Sequence, residues 1–126
     1  MYTIATKRTF IARHRLAGTK HPQDSRAHSH QYRLEVILEG NRLNEHGFLV
    51  DIEDLERLVE ARVRHFQDTV LNDLPEFAAL NPTLEHFARI LWYSLSEHLS
   101  QLPQLTMLTV RIWKGATTWA VYRRRL

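Results

Sequence analysis

The stretch His28-Ser29-His30-Gln31-Tyr32-Arg33-Leu34-Glu35-Val36-Ile37-Leu38 decides how this chain is read. Tyr32, Leu34, Val36 and Leu38 fall on one side, against Arg33, Glu35 and Ile37 on the other. Side chains that alternate with a period of two mark a strand with one face in a core. Glu39-Gly40-Asn41 ends it. At its start, His28 and His30 stand two residues apart, and both imidazoles project from the same face. Upstream, residues 3–13 read as another strand, which runs into His14 within Phe10-Ile11-Ala12-Arg13-His14-Arg15-Leu16. An imidazole from that neighbouring strand completes three sides of a tetrahedron. Three neutral histidines with an open fourth position are the ligand set of a catalytic zinc site rather than a structural one. The competing reading is that three of the eight histidines fall on strands by chance, and spacing alone does not decide between the two.

Between the two strands, residues 17–27 are polar and contain Gly18 and Pro22, which predicts a long functional loop. After the second strand, Asp51 has the place of a helix N-cap, with Glu53 and Asp54 suited to the positive end of the dipole. Ile52, Leu55, Val59 and Phe66 form a helical stripe with Leu58 and Val63 beside it, and the helix is expected to end between Phe66 and Leu71. Asn81-Pro82-Thr83 opens a second helix, with Asn81 as cap and Pro82 in the first turn. Its apolar face is Leu84, Phe87, Ala88, Leu91, Leu95 and Leu99, and Pro103 prevents the helical pattern from continuing. Two more strands, 105–113 and 117–124, flank a turn at Lys114-Gly115-Ala116. The order ββααββ predicts an α+β domain: an antiparallel sheet covered by helices on one face.

The 126 residues suffice for one domain, 1–126, with a core that needs no staples. With 44% apolar and 25% charged residues the chain is globular rather than disordered. It has no cysteine, which excludes disulfides, thiolate metal sites and a cysteine nucleophile, and fits a reducing cytoplasm. No apolar run approaches a membrane span, and no signal-peptide pattern opens the chain. The net charge of +3 is scattered except for Arg123-Arg124-Arg125, read as a solvated terminus rather than a nucleic-acid site. Trp92, Trp113 and Trp119 are read first as core or contact residues, Trp113 with the added prospect of stacking on a substrate. His46 and His86 are read as surface or helix residues.

The chain resembles the 6-pyruvoyl-tetrahydropterin and 6-carboxytetrahydropterin synthase family. The resemblance rests on Phe10-x-Ala12-x-His14-Arg15-Leu16, His28-x-His30-x-Tyr32, Gly47-Phe48-Leu49-Val50-Asp51, Leu71-Asn72-Asp73 and Asn81-Pro82-Thr83-x-Glu85, in that order. It implies the tunnelling fold (T-fold), with four antiparallel strands and two helices per subunit. It also implies hexamers of two stacked trimers, active sites at subunit interfaces, Zn2+ on His14, His28 and His30, and Glu85 among the substrate-binding residues.

The departures from the family pattern bear on function. Where the family has a catalytic cysteine, four residues before His28, this chain has Asp24. Its Asp-His pair aligns with Gln67 and Asp68, and the glutamate that anchors the pterin aligns with Lys114. A carboxylate acts as a base but not as a comparable nucleophile, and it is a useful acid at neutral pH only where its surroundings raise its pKa. Asp24 is thus either an acid/base or a solvated loop residue. Asp68 either replaces the lost histidine or faces water, and His21 is the spare acid/base in the loop. An ammonium has donors and no acceptor, so Lys114 suits an acidic group rather than a donor-rich pyrimidine edge, unless it points to solvent. These features predict a zinc-dependent enzyme with a re-purposed site acting on a small acidic substrate, as a lyase or in an amine–aldehyde condensation or ring closure. The alternatives are a pterin lyase using Asp24 and a non-catalytic zinc-binding paralogue.

Overall fold

The computed structural model describes residues 1–126. Four strands form one antiparallel sheet in the order β1-β2-β3-β4: β1 is Tyr2–His14, β2 His28–Gly40, β3 Met107–Lys114 and β4 Thr118–Arg125. Two helices, α1 (Ile52–Phe66) and α2 (Leu84–Leu99), lie between β2 and β3 in the chain and pack on one face of the sheet. The α+β order ββααββ expected from the sequence is the order observed.

The alternation in β2 has the predicted consequence. Tyr32, Leu34, Val36 and Leu38 are buried under the helices, joined by Leu108, Val110 and Ile112 from β3. From α1 come Leu55, Val59, Val63 and Phe66, and from α2 Phe87, Ala88, Leu91, Leu95 and Leu99. Trp92 is a core residue whose indole N–H donates to the Leu108 carbonyl at 2.8 Å. The last residue of β2 must be glycine: a Cβ at Gly40 would lie 2.1 Å from the Gln104 carbonyl oxygen.

Two local expectations are corrected. The N-cap of α2 is Thr83, whose hydroxyl accepts from the His86 amide at 3.1 Å, and not Asn81. The Asn81 side chain is engaged elsewhere, accepting from Ala17 N at 2.9 Å and donating to Ala17 O at 2.8 Å. Ile52 stands at the solvent side of α1, 49% exposed, because the buried stripe begins one turn later at Leu55. Arg123, Arg124 and Arg125 are exposed at the end of β4, as expected of a solvated terminus, with Arg123 paired to Glu39 at 3.3 Å.

Candidate metal centre

Register places the three histidines together. His14 is the cross-strand partner of His28, and Ala12 is the partner of His30, so the three imidazoles share the helix-facing side at the open end of the sheet. Each pair of rings has a centroid separation of 4.7 Å. One nitrogen from each ring lies within 4.8 Å of the others. Nε2 of His14 and Nε2 of His28 are 3.1 Å apart.

The donor set fits a metal ion. His28 Nδ1–H donates to the Arg26 carbonyl at 2.7 Å, which leaves Nε2 as the lone-pair nitrogen. His30 Nε2 is buried and has no hydrogen-bond partner, an orphan that a metal would satisfy. His14 is 2% exposed, and its Nδ1 meets the Tyr32 hydroxyl at 3.1 Å. Burial first, then the His30, His28 and Lys114 charges, lower the His14 pKa to about 4. Burial, Lys114 and His28 lower that of His30 as well, with Asp24 opposing them. Both rings are therefore held neutral, the form that binds metal.

Two flanking residues complete this end of the sheet. Lys114 ends β3 opposite Tyr32, on the histidine side, and its charge acts on both His14 and His30. Asp24 lies in a short 3-10 turn, Pro22–Ser25, and its charge acts on His30. Thr19 Oγ1 donates to the Asp24 carboxylate at 2.8 Å, and the Asp24 carbonyl accepts from Leu16 N at 2.7 Å. The loop is therefore tied back against the end of β1.

The remaining candidates are exposed or face away from the triad. His21 is exposed and contributes its backbone carbonyl to the same turn. Asp68 is exposed with φ at 59°, and its amide donates to Ile11 O at the free edge of β1. Glu85 is exposed in the first turn of α2. Trp113 points to the opposite, helix-free side of the sheet, where Arg33 stacks on it at 4.6 Å.

Two asparagines carry a role that sequence pattern alone does not reveal. Asn72 accepts from Arg15 N at 2.7 Å and returns a donor to Arg15 O at 2.9 Å. Asn81 does the same for Ala17, so two side-chain amides act as a strand's backbone would and fix the segment leaving His14.

The family model described as 6-pyruvoyl tetrahydropterin synthase matches residues 3–125. The chain belongs to this family. A putative 6-carboxy-5,6,7,8-tetrahydropterin synthase of Archaeoglobus fulgidus is 30% identical over 121 residues, covering 96% of this chain and 95% of the relative. The 6-carboxy-5,6,7,8-tetrahydropterin synthase of Bacillus subtilis is 31% identical, over 79% of this chain and 69% of the relative. Among solved structures, 6-pyruvoyl tetrahydropterin synthase of Caenorhabditis elegans superposes with a TM-score of 0.81 at 20% identity, covering 98% and 95% of the two chains. A Plasmodium vivax 6-pyruvoyltetrahydropterin synthase, a catalytic-residue mutant with cysteine in place of glutamate, gives 0.82 at 14% identity, covering 99% and 98%. These superpositions establish the T-fold. No helix is long and apolar enough to cross a membrane.

Proposed function

We propose that this pterin-synthase homologue is a zinc-dependent enzyme with an altered substrate end, acting on a small molecule that carries an acidic group. The observation that carries the reading is the placement of Lys114 beside the histidine triad, with its charge acting on His14 and His30. A cation there disfavours a donor-rich ring edge and favours a carboxylate or phosphate.

His14, His28 and His30 would hold the zinc ion. When bound, zinc supplies Lewis acidity toward a carbonyl or hydroxyl oxygen of the substrate. Lys114 binds the acidic group and fixes the direction in which the substrate lies. Asp24, restrained by Thr19, takes up a proton from the substrate and returns it to the departing or newly formed group. Such a set serves an elimination, an aldol-like cleavage, or a condensation and ring closure between an amine and an aldehyde. Asp68, Glu85 and Trp113 would join the site from a neighbouring subunit, in the proposed assembly of two stacked trimers, while His21 stands in the same turn as Asp24.

A second reading has its own support. The Plasmodium vivax relative is described as having a catalytic residue that is a glutamate, so a carboxylate in a catalytic role has a precedent on this fold. Under that reading Asp24 performs the family's pterin chemistry. Incubation with dihydroneopterin triphosphate separates the two. Rapid formation of a pyruvoyl or carboxy pterin supports the second reading and contradicts the altered one. Absence of turnover, with stabilisation by acidic amine or aldehyde ligands in a thermal-shift screen, supports the first.

A further inference from the structure

The helix-free face of the sheet carries cations without matching anions. Alternation along the paired strands puts Lys7, Arg13, Arg33, Arg111, Arg123 and Arg125 on this side, with only Glu35 and Glu39 among them. Glu35 is shared between Arg111 at 3.3 Å and Lys7 at 4.0 Å, and Glu39 is taken by Arg123. Arg33 has no carboxylate partner.

Arg33 is nevertheless held in place. Its guanidinium lies 4.6 Å over the ring of Trp113, its cross-strand partner. Arg111 lies 4.6 Å over Trp119 in the same way. A guanidinium held over an indole is fixed in position, and its free N–H groups suit planar or tetrahedral oxyanions. Arg33 Nε, Arg111 Nε and Trp113 Nε1 are all buried without an acceptor, three orphan donors in neighbouring positions. Donors in this state leave this part of the face short of acceptors. Beside Arg33 opens a cavity of about 270 Å³, lined by Thr9, Gln31, Arg33 and Gly115 with no carboxylate in its wall.

The geometry points to an oxyanion site on this face, centred on Arg33 and taking phosphate-class anions. Arg33 supplies the fork, Thr9 a hydroxyl and Gln31 an amide, while the surrounding cations raise the local anion concentration. The site is on the other side of the sheet from the histidine triad and does not depend on the proposed reaction.

The test is calorimetric titration of the purified protein with inorganic phosphate and inorganic pyrophosphate at constant ionic strength. The wild type is expected to bind pyrophosphate saturably at one site per chain, and phosphate more weakly. Arg33→Gln should weaken this tenfold or more, and Arg33→Lys, which keeps the charge without the fork, by less. The exposed Arg57→Gln should change it little, and Lys114→Met reports any binding that belongs instead to the histidine end of the sheet. Absence of saturable binding, equal binding by Arg33→Gln, or loss in Lys114→Met instead overturns the proposal. Should Arg33→Gln fail to fold, affinity unchanged in Arg33→Lys contradicts it equally.

Discussion

The Tyr32 hydroxyl lies 3.1 Å from His14 Nδ1, and both groups are buried at the open end of the sheet. The hydrogen bond works in either direction. In the metal-free chain His14 Nε2 can donate to His28 Nε2, and Nδ1 then accepts from Tyr32. Once Nε2 serves as a ligand, the proton belongs on Nδ1, and the Tyr32 oxygen accepts it. Tyr32 also packs on Phe10 and Phe87, with ring centroids 5.6 and 5.3 Å away, so its ring is fixed. Tyr32→Phe keeps that packing and removes the hydroxyl. It is expected to lower zinc affinity about ten- to hundredfold in competition with a chromophoric chelator, with little change in circular dichroism. Unchanged affinity would show that the hydroxyl plays no part in setting the ligand.

The triad itself predicts the zinc content. Protein purified without chelator should carry one zinc per chain by elemental analysis. His28→Ala combined with His30→Ala should abolish it, since a single imidazole remains. Retention of the metal in that variant would move the site elsewhere.

The lowered pKa of His14 predicts a pH dependence for the metal-free protein. The folded value of about 4 lies below the ordinary 6.5 of the unfolded chain. The unfolded state thus binds the proton first as pH falls. The contribution is complete above about pH 6.5 and is lost progressively toward pH 4. Its size is roughly 3 kcal/mol from the shift. Urea unfolding of chelator-treated wild type and His14→Gln should give a stability difference that moves against the wild type by this order between pH 6.5 and 4. A difference that stays constant with pH would contradict the shift.

The strand edges predict assembly. β1 and β4 are the outer strands, and β1 is covered only where Thr69 and Asp68 bond to Arg13 and Ile11. Open edges are a liability that closure across subunits removes. Light scattering at micromolar concentration is expected to give a species larger than a dimer, with a hexamer anticipated. A monomer would contradict the proposed assembly.

How much the sequence discloses depends on how local the signal is. β2 is legible because its apolar residues alternate without interruption from Tyr32 to Leu38, and the His14–His30 cluster emerges once β1 is its neighbour. The α2 cap is ambiguous because Asn81 and Thr83 are both good caps, and only the contact of Asn81 with Ala17, distant in sequence, decides for Thr83. The 3-10 turns Leu71–Asp73 and Pro75–Phe77 are too short to leave a periodic trace, though Leu71 and Phe77 are in the core. Lys114 stands out by its charge. Its place near the triad comes from the pairing with Tyr32, which no local pattern contains.

The charge at Lys114 is the point on which the functional account turns. An acidic ligand identified by thermal shift should be titrated calorimetrically into wild type, Lys114→Glu and Lys114→Met. Charge-assisted hydrogen bonds contribute about 1.5–3 kcal/mol, so both variants should lose roughly ten- to more than a hundredfold in affinity. Lys114→Glu alone should gain affinity for a pterin. Affinity for the acidic ligand unchanged in both variants would leave Lys114 a solvated strand-end residue and contradict the account.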